Sequence, residues 1–222
     1  MSSEKNKLSD AVYDLKFLLN RGYKKKNAIT FVANKYLLNI DERNYLVRKI
    51  YSNEISMARM IKILDINDIT NKSIFVDGYN VLITAEMICN HDFDSIMICY
   101  DGLIRDLKAV FGNYHQTNVT EKALKTIITL LKSYNPMFIT FIYDSPVSKS
   151  GELAKLTNRL LKKNSVKGNA LTSKNVDFDL VRLSGESKGI VATSDGPIID
   201  KVEAVVDIPY WICKKSKNCN VN

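Results

Sequence analysis

The chain has 222 residues, 45% hydrophobic and 25% charged, the balance of a folded globular protein. No apolar run reaches the roughly 18 residues needed to span a bilayer, and the polar start (Ser2, Ser3, Glu4, Lys5, Lys7) carries no signal-peptide pattern; a cytoplasmic protein is expected, with no membrane partner. A net charge of +8, from 32 Lys and Arg against 24 Asp and Glu, favours a polyanionic partner such as nucleic acid without establishing one. Of the four cysteines (Cys89, Cys99, Cys213, Cys219), none forms a CxxC pair, and there are two histidines, so a structural zinc site is not expected. Idle thiols are the preferred reading, with a Cys213–Cys219 disulfide as the alternative.

Residues 1–68 read as helical. Ser9 is placed to cap a first helix carrying Val12, Leu15, Leu18 and Leu19, and Gly22 to stop it. A second helix carries Ala28, Ile29, Val32, Ala33, Tyr36 and Leu37. Asp41 is placed to cap a third, and Ile55 to Leu64 suggests a fourth. Through Ile66 there are 13 Lys and Arg against 7 Asp and Glu, so much of the positive excess lies here. The bland reading is a solvated helical face. The sharper one is a nucleic-acid clamp around Arg21, Lys24, Lys25, Lys26 and Arg43.

Polar residues 67–72 mark a boundary, and an α/β unit over 69–213 follows, with a polar tail at 214–222. Strand Ser73 to Val76 ends in Asp77-Gly78-Tyr79-Asn80, and a helix over Val81 to Cys89 carries Glu86. Ile96 to Tyr100 is strand or helix, followed by Asp101-Gly102 and Arg105-Asp106. Thr120 to Leu131 is amphipathic. Met137 to Tyr143 is a continuous apolar strand, as in the middle of a parallel sheet, and ends in Asp144-Ser145-Pro146. A helix from Ser150 carries Lys162 and Lys163 at its far end, and Ala170 to Ser173 is a short strand. Val176-Asp177-Phe178-Asp179 comes next. Gly189 to Thr193 is a strand ending in Ser194-Asp195, and a short helix then carries Asp200. Val205 to Ile208 reads as a last strand; Val205 to Trp211 is either an interior edge or a site of pairing between subunits.

Alternating strands and helices imply a parallel sheet covered on both faces. Right-handed crossovers then bring Asp77, Asp144 and Asp195 to one edge. Carboxylates crowded together repel and take up protons unless a cation compensates them. Oxygen ligands suit Mg²⁺ or Mn²⁺, which would activate water against a phosphodiester. Asp177, Asp179 or Asp200 would complete the shell; if its segment is extended, Asp177 and Asp179 would not both face the site. Each acid also has a plainer role: Asp77 and Asp144 as turn residues, Asp195 as a helix cap. Asn80 is either a ligand-orienting amide or a turn residue. No GxSxG, P-loop or GxGxxG motif offers other chemistry.

Val76-Asp77-Gly78-Tyr79-Asn80, the strand-borne Asp144, Asp177-Phe178-Asp179 and Thr193-Ser194-Asp195 resemble PIN-like nucleases of the NYN branch. More closely, Leu18 to Tyr23, Asp77 to Thr84, Asp101-Gly102 with Arg105-Asp106, Asp144 to Glu152 and Ala192 to Asp195 resemble a largely archaeal family with a helical segment before a PIN-like domain. The resemblance implies a Rossmann-type three-layer α/β/α fold with a mainly parallel central sheet, behind a small all-α segment, and a metal-dependent ribonuclease. The second acid of the family pattern falls on Glu86, Asp101, Asp106 or Asp177. Single-stranded RNA is the expected partner, DNA the alternative. Arg105, Lys149, Lys162, Lys163 and the Lys24, Lys25, Lys26 run are the expected phosphate contacts. The rival reading is a non-catalytic nucleic-acid-binding or assembly module on the same fold. A small-molecule phosphatase is a weaker third.

Overall fold

The structure, a computed structural model, describes residues 2–107 and 114–216. The expected break at Gly112 and the end of the tail fall outside the described residues. The helical segment comprises α1 (Ser2–Asn20), α2 (Lys25–Lys35), α3 (Ile40–Lys49) and α4 (Asn53–Met60). Ser9 lies inside α1 and does not cap it. Gly22 does end α1: the Gly22 and Tyr23 amides donate back to the Leu19 and Leu18 carbonyls. The cap of α3 is Asn39, whose side chain accepts from the Glu42 amide while Glu42 accepts from the Asn39 amide. Asp41 is a first-turn residue instead.

Helices α1 to α3 share a small core of their own, built on Leu15, Leu19, Val32, Leu46 and Ile50. The chain after them belongs by packing to the rest of the molecule. Helix α4 lies against a later helix, Ile63 forms a bridge with Val205, and Ile66 and Ile69, in a short 3₁₀ turn, are fully buried in the main core.

That core surrounds a four-stranded, all-parallel sheet in the order β5-β4-β1-β6. Its strands are β1 (Ser73–Asp77), β4 (Phe138–Asp144), β5 (Gly168–Ser173) and β6 (Ile190–Ala192); β2 (Ile96–Ile98) and β3 (Ile104–Asp106) form a separate antiparallel pair. The intervening helices are α5 (Gly78–Cys89), α6 (Asn118–Lys132), α7 (Ser150–Lys163), α8 (Val176–Ser187), α9 (Gly196–Lys201) and α10 (Ile208–Lys215). Side chains alternate across a strand. Ile74, Val76, Phe141 and Tyr143 therefore point into a layer with α5, α6, α7 and α10, while Phe75, Ile142 and Val191 face α8 and α9. The result is a three-layer α/β/α fold behind an all-helical segment, as the residue pattern implies.

The last expected strand shrinks to a bridge at Val205. Asp207 accepts from the Tyr210 amide, and Pro209 sits in the first turn, so α10 begins where strand was expected. Val205, Val206 and Ile208 are buried, making this segment interior. Helix α10 also continues through Lys214 and Lys215, past the expected start of the tail. Cys89 and Cys99 are free thiols. Cys213 is disulfide-bonded rather than idle, and Cys219 lies outside the described residues. No helix among the described residues is long and apolar enough to cross a membrane.

Candidate metal and phosphate site

Asp77 is the last residue of β1 and Asp144 the last of β4. Both fall in step with the residues that face α8 and α9. Asp195 immediately precedes α9, and Asp177 is the second residue of α8. These four acids line one cavity of about 660 Å³ at the carboxyl edge of the sheet, where α/β folds bind ligands. A larger open groove of about 770 Å³, between α6 and α10, contains none of them.

Local geometry explains the motif residues. A side chain at position 78 would meet the Tyr143 ring and sit 2.7 Å from the Ile142 carbonyl oxygen, so only glycine lets α5 start directly after Asp77. The hydroxyl of Thr193 donates to Asp77 Oδ2 at 2.7 Å. The amide and hydroxyl of Ser194 both donate to Asn80 Oδ1 at 2.9 Å. Because the Ser194 amide can only donate, Asn80 must turn its oxygen that way, which leaves its Nδ2 with no partner among the described residues. Thus Asp77-Gly78-Tyr79-Asn80 and Thr193-Ser194-Asp195 are clamped together across β1 and β6.

None of the four acids is ion-paired among the described residues, although Arg105 and Arg59 lower Asp195 from a distance. Burial pushes Asp77 up to about 7, against a Thr193 bond that pulls the other way and with repulsion from Asp195, Asp144 and Asp177 adding to the rise. Asp144 and Asp195 are also raised, first by burial and then by Asp177. Among the described residues no three carboxylates close into a preformed cage. An open, oxygen-only cluster nevertheless fits a hard divalent cation, which keeps several waters and takes only one or two carboxylates from the protein. Its carboxylate ligands would come from among Asp77, Asp144, Asp177 and Asp195.

Other expected members are placed differently. Asp200 accepts from Arg59 Nε at 2.7 Å and Nη2 at 2.9 Å, so both its oxygens are engaged. Helical geometry turns Asp179 away from Asp177, and it accepts from the Ser173 hydroxyl and pairs with Arg182. Of the four candidates for the second acid, Glu86 bonds Tyr114 and Thr120 on the opposite face of the sheet. Asp101 is fully buried between Arg59 and Arg105, and Asp106 pairs with Arg48 at 2.6 Å. Asp106 and Asp177 both line the cavity of the strand-end acids, and of the two Asp106 is taken up by Arg48.

The basic residues also separate. Arg105 is buried, donating to both oxygens of Asp101 at 2.6 and 2.7 Å and to the Ser194 carbonyl at 2.7 Å, so it supports the site and is no free phosphate contact. Lys162 and Lys163 end α7, roughly 20 Å of helix away from the acid edge. Lys149 is exposed before α7 and lines no cavity at the acids. Arg43 is spent on Asn34 and the Leu38 carbonyl, and Arg21 lies over the Phe17 ring. Lys24 and Lys26 are exposed, whereas Lys25 is half-buried and lines the acid cavity. Tyr51 and Arg59, both missed in the sequence, line it too; Arg59 was readable only as one basic residue among many.

The profile of a family described as "Domain of unknown function (DUF5616)" matches residues 66–211. The chain belongs to the DUF5616 family. A second profile, "Protein of unknown function (DUF434)", matches residues 7–62. The uncharacterized protein MJ0935 of Methanocaldococcus jannaschii is 37% identical over 203 residues, which cover 90% of this chain and 94% of that protein. No solved structure matches the chain. The four acids lie within the DUF5616 match, while Lys25, Tyr51 and Arg59 lie within the DUF434 match. One cavity thus draws residues from both.

Proposed function

We propose that this DUF5616 protein is a metal-dependent ribonuclease of PIN-like type. The observation that carries the reading is the convergence of Asp77, Asp144, Asp177 and Asp195, none of them ion-paired among the described residues, on one cavity that Lys25, Arg59 and Arg105 also line. Mg²⁺ or Mn²⁺ held by those acids would polarise the phosphoryl oxygens and sharpen a water as nucleophile. The chain's own groups supply the rest. In the hydrolysis, a water oxygen bonds to phosphorus, one ester P–O bond breaks, the water gives up a proton and the departing sugar oxygen gains one. A carboxylate of the four that the cation does not take up is the group placed to accept the first. Asn80 Nδ2 offers a donor to a phosphoryl oxygen, and the Thr193 bond fixes the Asp77 carboxylate.

The shape of the site favours a chain-like substrate. A neighbouring groove of about 430 Å³ shares Asp144 and Asp177 and adds Lys174, Lys201 and Phe178, whose ring is 64% exposed. Cations along a trough with an exposed ring suit the backbone and bases of a single strand, and exceed what a small phosphoester needs. The open spacing of the acids favours the rival reading, a module on this fold that binds RNA without turnover.

A labelled single-stranded RNA, incubated with the protein and Mn²⁺, separates the two. The wild type is expected to cleave it and chelator to stop cleavage, with Asp77→Asn plus Asp195→Asn reduced to background. Equal cleavage by the double variant contradicts the proposal; binding without cleavage by the wild type supports the module. A single-stranded DNA of the same sequence shows whether the 2′-hydroxyl is required.

A further inference from the structure

We propose that Lys25, from the N-terminal helical segment, is a phosphate anchor of this site, holding a phosphoryl oxygen of the strand whose scissile phosphate faces the acids. The inference rests on the ribonuclease reading only for where that phosphate lies. Lys25 Nζ stands 3.3 Å from the centroid of the Tyr51 ring. The guanidinium carbons of Arg59 and Arg105 lie 4.4 and 5.3 Å from the same centroid. Three cations therefore crowd one ring. The two arginines are matched by Asp101 and Asp200, whereas Lys25 has no hydrogen bond or ion pair with any described residue.

A merely structural residue would not be built this way. An ammonium set beside two guanidiniums loses hydration and gains repulsion, and the Tyr51 face returns only part of that. A methionine or leucine would cover the ring at no such cost. The direction of the protonation shift agrees: burial, then Arg105 and Arg59, bring Lys25 down to about 7. An anion entering the cavity is the partner that this arrangement lacks. A phosphate group fits, because the same cavity opens onto the acids and because the +8 chain favours polyanions. The exposed neighbours Lys24 and Lys26 share the sequence run but not the cavity.

The test is fluorescence anisotropy of a labelled single-stranded RNA with the full chain, in Ca²⁺ in place of Mn²⁺ and with the RNA checked for intactness. Lys25→Met keeps the stem over Tyr51 and removes the charge. It is expected to weaken binding about tenfold and to lower the slope of log Kd against log salt by about 0.7, the value for one lost contact on a single strand. Lys25→Arg is expected to retain the wild-type slope, and Lys24→Met or Lys26→Met to lose clearly less affinity than Lys25→Met. If Lys25→Met fails to fold, Lys25→Gln carries the same comparison. Unchanged affinity and slope in the Lys25 variants, equal losses at all three lysines, or no RNA binding by the wild type overturns the proposal. Unchanged binding alongside Mn²⁺-dependent cleavage sinks this inference and spares the ribonuclease reading. Weakened binding by Lys25→Met, with cleavage untouched by the Asp77 and Asp195 changes, does the reverse.

Discussion

Asp101 and Asp77 are both buried acids beside the same cavity, and the fold treats them in opposite ways. Burial pushes Asp101 up, but hydrogen bonds and charge from Arg105 and Arg59 outweigh it and hold the group below its ordinary value. Asp77 receives one hydroxyl and three repelling neighbours, and rises to about 7. Asp101 is neutralised within the chain, and the buried Asp207 accepts from two backbone amides; Asp77 has one hydroxyl, which suits the proposed cation. The Arg59–Asp101–Arg105 cluster ties α4, the loop before β3 and the start of α9 together, and so shapes the wall on which the other acids stand.

This contrast can be broken most forcefully at Asp101. Asp101→Asn removes the carboxylate that pairs with Arg105 and leaves Arg59 with Asp200 alone, and is expected to cost about 3–5 kcal/mol in urea unfolding, whereas Asp77→Asn should cost almost nothing and be stabilising above pH 7. Equal losses at the two positions would erase the distinction.

The next effect is on metal and pH. Asp77 keeps its proton in the folded chain up to about 7, while the unfolded value is near 3.8. The proton therefore favours the fold below about pH 4, and that contribution is lost as pH rises through 7. A cation competes for the same oxygens. Mn²⁺ at about 100 times its Kd should add about 2.7 kcal/mol at pH 8, seen as a higher Tm, and much less at pH 5. Shifts of the same size at both pH values would argue against carboxylate binding.

Smaller still is Gly196→Ala. The added carbon would fall 2.5 Å from Arg59 Nη2, pushing the guanidinium off Asp101 and Asp200, at about 1–3 kcal/mol by the same unfolding measurement. Asp200, whose side chain is 52% exposed, holds Arg59 at the rim, so Asp200→Asn should cost at most about 1 kcal/mol. A larger loss there than at Asp101 would invert the comparison.

The acid edge was legible because each strand is a short apolar run closed by Asp, and parallel topology alone carries Asp77, Asp144 and Asp195 to one place. Asp177 needed more. Its role depends on α8 being helical from Val176, which parts it from Asp179 and returns the choice among four candidate acids to one. The Arg59 network was not legible, since its pairs lie 42 and 141 residues apart and no local pattern reports them. Arg105 looked like a free cation although its partner Asp101 lies four residues before it, because that pairing depends on the turn leading into β3 and not on a helix. Two helix starts do carry local signals: Asn39 three residues before Glu42 marks a capping box, and Asp207 two before Pro209 marks the start of α10. Lys25 stood apart from Lys24 and Lys26 only once α2 showed which of the three turns toward Tyr51.

The most direct measurement is a crystal of the protein soaked in Mn²⁺ and examined by anomalous diffraction. A single strong peak among Asp77, Asp144, Asp177 and Asp195, absent in Asp77→Asn plus Asp195→Asn, is the expected result. A cavity with no peak, or one in which a lysine or arginine side chain reaches in to neutralise the acids, would contradict the claim that these carboxylates await a metal.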